Sequence, residues 1–169
     1  MGIAAPYAGF MDTPVGPITV FANDLAVTEL GWGTERTADR PNAIVEQALA
    51  ALTRYFDGDG GALGDLPTAP DVTEFRARIL SAMRRIPPGT TKTYGELGKA
   101  ARVSPGAVRA VGSACATNPI PIIIPCHRVV AAGGKMGGFS GLGGLNAKQW
   151  LLRHEEWNGN GDQDQRSLL

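Results

Sequence analysis

Cysteine and histidine are nearly missing from this 169-residue chain, which holds only Cys115, Cys126, His127 and His154. Two cysteines cannot make a disulfide framework at this size, so a reducing, cytoplasmic setting is expected, in which a thiol stays free to react. The spacing of the four residues fits no standard zinc pattern, and residues 1–70 offer no cysteine or histidine at all, so no metal is expected. Long apolar runs are also lacking. None approaches the roughly 20 residues needed to span a bilayer, and the N-terminus has no basic leader segment. No membrane partner is expected.

Acidic side chains are scarce in one half only. The net charge is zero, yet residues 1–70 carry three basic against nine acidic side chains. Between Glu74 and Arg153 the balance reverses to twelve basic against two acidic, Glu74 and Glu96. A one-sided positive field of this kind suits a polyanion such as nucleic acid.

The hydrophobic fraction of 43% is enough for a core, and the length fits one domain or two small ones. Tyr7 to Met11, Ile18 to Ala22 and Leu25 to Trp32 are strand-like runs separated by Pro/Gly and Asn-Asp turns, which predicts a small antiparallel sheet. Apolar residues at helical spacing from Asn42 to Phe56, Tyr55 among them, predict a helix that covers it. A flexible Gly/Pro-rich connection follows and coincides with the charge reversal. The boundary is therefore placed near residue 70, giving an N-terminal α/β domain (1–70), a second domain (71–157) and a flexible tail (158–169). In the second domain Thr73 can cap a helix through Arg85. Helices from Tyr94 to Ala101 and from Pro105 to about Cys115, with Ser104 as N-cap, resemble a helix-turn-helix. The latter helix is built of small residues, with Arg109 as its one long charged side chain. Asn146 to Trp157 predicts a last helix.

The stretch Asn118 to Val130 reads Asn-Pro-Ile-Pro-Ile-Ile-Ile-Pro-Cys-His-Arg-Val-Val. Branched apolar residues at Ile122 to Ile124 should be buried, as a rigid apolar rod ending at Cys126. A thiol is a strong nucleophile only as thiolate, so Cys126 needs a base, and the base needs an orienting carboxylate. His127 is the nearest base. Glu96, Glu155 and Glu156 are the available carboxylates. Neighbours in a strand point to opposite faces, so His127 reaches Cys126 only through a turn after Pro125 or through a bridging water. The glycine-rich loop from Ala131 to Gly144 lacks the Gly-Lys-Ser/Thr ending of a phosphate-binding loop, which argues against a nucleoside triphosphate site.

Pro125-Cys126-His127-Arg128-Val129, with Asn118-Pro119 and an isoleucine run ahead of it, resembles the signature of the O6-alkylguanine-DNA alkyltransferases. Tyr94-Gly95-Glu96-Leu97, Val108-Arg109-Ala110-Val111-Gly112, Gly138-Phe139-Ser140-Gly141 and the segment Lys148 to Glu155 are similar to further motifs of that family. The resemblance is dense over residues 73–157 and extends to residues 1–70 only in layout. It implies an α+β fold: a ribonuclease H-like sheet-plus-helix domain, then a mostly helical domain with a winged-helix-like helix-turn-helix. It implies direct-reversal repair, in which O6-alkylguanine, with O4-alkylthymine as a second candidate, is flipped from duplex DNA and its alkyl group passes irreversibly to Cys126. His127 would be the base, acting through a water, Glu155 its orienter, and Asn118 the tie across the turn. Tyr94, Arg109, Arg128, Val129 and Ser140 would contact substrate and DNA. Arg109 would fill the gap left by the flipped base, and backbone groups of Cys126, Val129 and Ser140 would hold the guanine edge. The partner would be double-stranded DNA, bound through the minor groove by a monomer without cofactor. Phe139 stands where the family often has tyrosine, and the loop from Ser140 to Asn146 is longer than in the shortest family versions. Two other readings compete: a non-catalytic sensor of alkyl lesions, and a helix-turn-helix regulator whose Cys126 senses its surroundings. Sensors of similar fold carry tryptophan where this chain has Cys126.

Overall fold

The structure is a computed structural model that describes residues 6–34, 39–134 and 145–156. Three strands, β1 (Tyr7–Met11), β2 (Ile18–Ala22) and β3 (Val27–Trp32), form an antiparallel sheet in the order β1-β2-β3. The β2–β3 turn is set by Asn23, whose side-chain oxygen accepts from the backbone of Leu25 and Ala26, each at 2.8 Å. Leu25, expected inside the third strand, stands out from this turn instead and is exposed.

Helix α1 (Ala43–Phe56) lies on the sheet, capped by Asn42, whose side chain accepts from the Val45 amide at 2.9 Å. Its apolar stripe buries Val45, Ala48, Leu52 and Tyr55 completely. The contact with β1 is close because Gly9 has no side chain. A Cβ there would fall 2.6 Å from Val45 Cγ1 and 3.0 Å from Leu49 Cδ1.

The connection to the second half is anchored along its length, unlike the flexible linker that its composition suggests. Leu63 and Leu66 are buried. The Arg84 guanidinium donates to Leu63 O at 2.8 Å and to Thr68 Oγ1 at 3.1 Å. Val27 exchanges backbone hydrogen bonds with Pro67 and Ala69.

Helix α2 (Glu74–Arg84) starts at its predicted cap, Thr73, and buries Ile79 and Met83. Strand β4 (Lys92–Thr93) leads into α3 (Tyr94–Ala100), which a full capping box opens: Thr93 Oγ1 accepts from the Glu96 amide and Glu96 Oε1 from the Thr93 amide. At its far end Arg102 takes φ = 60°, while its N–H donates to Lys99 O and that of Val103 to Gly98 O. That is a Schellman ending, and it turns the chain sharply toward α4 (Val108–Ala116), which a 3-10 turn over Pro105–Ala107 precedes. Ser104 stands at the cap position of that turn but makes no side-chain capping bond. Gly98 lets α3 approach α4, since a Cβ there would lie 3.3 Å from Val111 Cγ2. Arg76 ties α2 to α4 by donating to Thr117 Oγ1 and Ser113 Oγ. The two-residue strand β5 (Val129–Val130) pairs in parallel with β4, and α5 (Leu145–Glu155) closes the fold.

The architecture is α+β, as expected, with a sheet-plus-helix N-terminal half and a mostly helical C-terminal half. One continuous buried cluster joins them, from Ile18, Leu52 and Tyr55 through Met83 and Leu97 to the isoleucines at 120–124 and Leu151.

Because the Val45 side chain is branched, stiff and wholly buried, Gly9→Ala should cost about 1–3 kcal/mol of stability, as overpacked sites do. Urea unfolding measures it, and the wild-type midpoint in the variant would contradict the packing described.

Candidate active site

The stretch Asn118 to Val130 is not the extended rod that its branched residues suggest. Prolines at 119, 121 and 125 remove three amide donors and leave no ladder to pair. The chain winds instead through short turns, with Ile124 N–H to Ile120 O, Cys126 N–H to Ile124 O and Arg128 N–H to Pro125 O. Ile122 takes φ = 70°, a left-handed conformation rare for a branched residue. Asn118 holds the winding from inside: its Oδ1 accepts from Ile120 N–H at 3.0 Å and its Nδ2 donates to Ile124 O at 2.8 Å. Leu30 N–H to Pro119 O fastens the stretch to β3. Ile122, Ile123 and Ile124 are buried as expected.

Cys126, His127 and Arg128 form a single 3-10 turn directly after Pro125. Strand alternation therefore does not apply, and of the two routes that the sequence left open, a turn after Pro125 or a bridging water, the turn is present. All three side chains are buried. Burial pushes the Cys126 thiol up from its ordinary value; the Asn118 side chain, the Lys148 ammonium and nearby backbone N–H groups act in the opposite direction. The resting thiol therefore stays protonated and needs a base to react.

Glu155 lies on the buried face of α5 and is not the solvated helix residue it could have been. Four hydrogen bonds converge on its carboxylate. His127 Nε2 lies 2.5 Å from Oε2, Tyr55 Oη donates to Oε2 at 2.6 Å, Arg128 Nη2 donates to Oε2 at 2.9 Å, and Arg128 Nε donates to Oε1 at 2.8 Å. Burial by itself would raise this carboxyl. The charge and hydrogen bond of His127, followed by those of Arg128, more than offset it and hold the group well below the usual carboxylate range. Tyr55 is shifted the other way, by burial and then by the Glu155 charge, so it remains a neutral donor.

A carboxylate only accepts, so His127 Nε2 carries the hydrogen. In the neutral ring, Nδ1 is then left with the lone pair. His127 Nδ1 is buried and has no hydrogen-bond partner in the structure. The ring is thus locked in one tautomer, with its basic nitrogen unspent and one residue away from the thiol.

Arg128 corrects a sequence expectation. It was grouped with the DNA contacts, but its guanidinium is buried and fully engaged, with Nη1 donating to Ile86 O at 2.6 Å and the other nitrogens on Glu155. Val129 is buried, and its carbonyl accepts from Lys148 Nζ at 2.7 Å. Tyr94, at the start of α3, is half-buried and close enough to Cys115 and Cys126 for their charges, after burial, to raise its phenol. Arg109 is exposed on α4. The small residues here do not serve close helix packing on their open side, since a Cβ at Gly106, in the preceding 3-10 turn, or at Gly112, in α4, would meet nothing within 4 Å. Ser140 and Phe139 lie outside the described residues. Glu96 is occupied by its capping box. His154 donates from Nε2 to Tyr55 O at 2.8 Å and stacks on Trp150, a structural use. Among the described residues no group of three or more His, Cys, Asp or Glu could hold a metal ion.

Sequence reasoning missed two participants. Lys148 is buried beside the thiols, and burial lowers its ammonium while Cys126 and Cys115 pull it back up. Its place seven residues before Glu155, with Leu151 between them, was the available signal: one helical stripe carrying a charge at each end. Tyr55 read simply as core.

The sequence model described as the ribonuclease-like domain of 6-O-methylguanine DNA methyltransferase matches residues 7–70, and the one for its DNA-binding domain matches residues 74–157. The chain belongs to the O6-methylguanine-DNA methyltransferase family. The methylated-DNA–protein-cysteine methyltransferase of Haemophilus influenzae is 36% identical over 162 residues, covering 91% of this chain and 88% of that protein. That of Salmonella typhimurium is 42% identical over 164 residues, covering 85% and 91%. Among solved structures, Mycobacterium tuberculosis OGT in complex with DNA superposes with a TM-score of 0.75 at 34% identity, over 90% of this chain and 94% of that one. The O6-methylguanine-DNA methyltransferase of Pyrococcus kodakaraensis gives 0.57 at 26% identity. The methyltransferase activity is direct-reversal DNA repair, in which an alkyl group passes from DNA to a cysteine of the protein itself.

Because Glu155 is depressed in the folded state, the stability it confers is present above the unfolded glutamate value of about 4.3 and is lost as pH falls below it. Glu155→Gln should lower stability at neutral pH by about 3–5 kcal/mol, since Arg128 stays buried without its counter-charge. The variant should also lose less than wild type on acidification. Denaturant unfolding at neutral and acid pH measures both, and parallel acid loss in the two proteins would contradict the assignment.

Proposed function

We propose that Cys126 is the alkyl acceptor, that His127 is its base through one bridging water, and that Glu155 fixes the histidine tautomer. The observation that carries this reading is the buried, unpartnered Nδ1 of His127 beside a buried thiol, with Nε2 anchored on Glu155. The thiol proton passes by way of the water to Nδ1. The thiolate attacks the alkyl carbon in line, the new S–C bond forms as the C–O6 bond breaks, and the guanine leaves as its anion, which becomes ordinary guanine by taking up a proton at N1. The proton lost by the thiol equals the one gained by the guanine, so the histidine ends as it began while the thioether remains. Each molecule acts once. No metal or cofactor takes part in these steps.

The substrate is O6-alkylguanine in duplex DNA, approached from the minor groove by a monomer in the cytoplasm. Atom O6 cannot be reached inside the stack, so the base must be flipped out. Arg109, exposed on α4 as its one long charged side chain, is suited to fill the gap, while Tyr94 at the head of α3 borders the thiol and contacts the flipped base. The positive field that attracts the duplex is narrower than the sequence count suggested, because Arg128 and Lys148 are buried. Among the described residues the exposed cations of this half are Arg78, Arg85, Lys92, Lys99, Arg102, Arg109 and Arg153, and four of the seven lie on or between β4, α3 and α4.

Incubation with duplex DNA containing O6-methylguanine should add one methyl group to the peptide that holds Cys126, as read by mass spectrometry. An unmodified Cys126 with tight lesion binding would favour the sensor reading instead. Arg109→Ala should react with free alkylguanine at the wild-type rate but repair the duplex slower by roughly two orders of magnitude, because a few kcal/mol of unstacking are no longer offset. Equal loss on both substrates would refute the gap-filling role.

A further inference from the structure

Tyr55 sits in the last turn of α1, in the sheet-bearing half of the molecule, a hundred residues from the carboxylate that it meets. Its hydroxyl donates to Glu155 Oε2, the same oxygen that receives His127 Nε2 and Arg128 Nη2. Packing alone does not call for that hydroxyl. The site is fully buried, and a phenylalanine would fill it without needing a partner. The ring is also held from several sides. Phe56 packs edge-on at 5.1 Å and His154 at 5.4 Å, and the Tyr55 carbonyl accepts from His154 Nε2. The direction of the O–H is therefore fixed at the carboxylate.

We propose that Tyr55 is a positioning residue of alkyl transfer, holding Glu155 against His127 and limiting the negative charge that the carboxylate presents to the ring. The inference rests on the reading of His127 as the base. Glu155 is faced by Tyr55 from α1 and by His127 and Arg128 from the 3-10 turn, with His154 beside it on α5. Arg128 is a permanent cation and its two bonds fix the carboxylate plane. Tyr55 is the donor in the set that stays neutral while His127 takes up and returns a proton, and it is the one supplied by the N-terminal half. Without it, Oε2 loses one of three donors, and its freed charge favours the protonated ring, which cannot accept the thiol proton. The N-terminal half thus contributes an atom to the reaction's supporting frame and is more than a platform for the DNA-binding half.

The test is Tyr55→Phe in the full chain, with single-turnover methyl transfer from an O6-methylguanine duplex followed across pH. The rate should fall by about tenfold, the usual effect of losing one hydrogen bond to a charged group. The acid limb of the rate profile should move to higher pH, because a more negative carboxylate beside an imidazole favours its charged form. Affinity for unmodified duplex should not change, and free alkylguanine should show the same loss as DNA. A wild-type rate with a wild-type pH profile would overturn the proposal. So would a slower rate that merely tracks a smaller folded fraction in thermal unfolding while the pH profile stays in place. His127→Gln separates the two levels of the argument. If it transfers at the wild-type rate, the base assignment fails and the inference fails with it. If it is slow while Tyr55→Phe matches wild type, the inference alone fails.

Discussion

The Glu155 carboxylate is the contact on which the site depends. A buried charge is tolerated only when its lone pairs are met, and here Tyr55, His127 and Arg128 meet them from three positions in the chain. Each donor gains something different from the bond. For Arg128 it is a counter-ion, without which a buried guanidinium would be unsustainable. For His127 it is a fixed tautomer. For Tyr55 it is the tie that makes α1 part of the same unit as α5. Removing the carboxylate would therefore undo packing, charge balance and chemistry together, which is why one helix near the C-terminus can govern a thiol in a distant loop.

The thiol itself is kept quiet. Burial favours the protonated form of Cys126 at rest. Reactivity has to come from a partner that acts only when substrate is in place, and the unspent His127 Nδ1 has that character. The proline-rich turns make the arrangement rigid. Asn118 stitches them from within, and the isoleucines seal their apolar side, so Cys126 and His127 are delivered on one turn whose shape does not depend on a sheet. The left-handed Ile122 is consistent with a segment over-determined by its surroundings.

Much of this was legible in the residues. Helices α1 and α2 carry plain 3.6-residue periodicity, and the cap expected at Thr73 forms. The trio of Cys126, His127 and Arg128 behind Pro125 marked the chemistry, and strand geometry alone called for a turn or a bridging water between thiol and ring. The rod between Asn118 and Cys126 was misread because branched residues usually mean strand, whereas three missing amides override that preference here. Arg128 was misread because an arginine in a basic half looks like a phosphate ligand. Only the fold shows that a glutamate twenty-seven residues later captures it. Tyr55 and Lys148 were invisible for a related reason. A tyrosine in an apolar stripe and a lysine in a helix have ordinary structural uses, and their polar ends acquire meaning from contacts that no local pattern encodes.

The central claim is that Glu155 fixes the proton of His127 on Nε2 and leaves Nδ1 basic toward Cys126. Long-range proton–nitrogen NMR of the imidazole in the unreacted protein, above the pH at which the ring is protonated, reads this directly. The account predicts a protonated-type Nε2 signal and an unprotonated-type Nδ1 signal for His127. The opposite assignment, or two averaged signals typical of a freely exchanging ring, would contradict it.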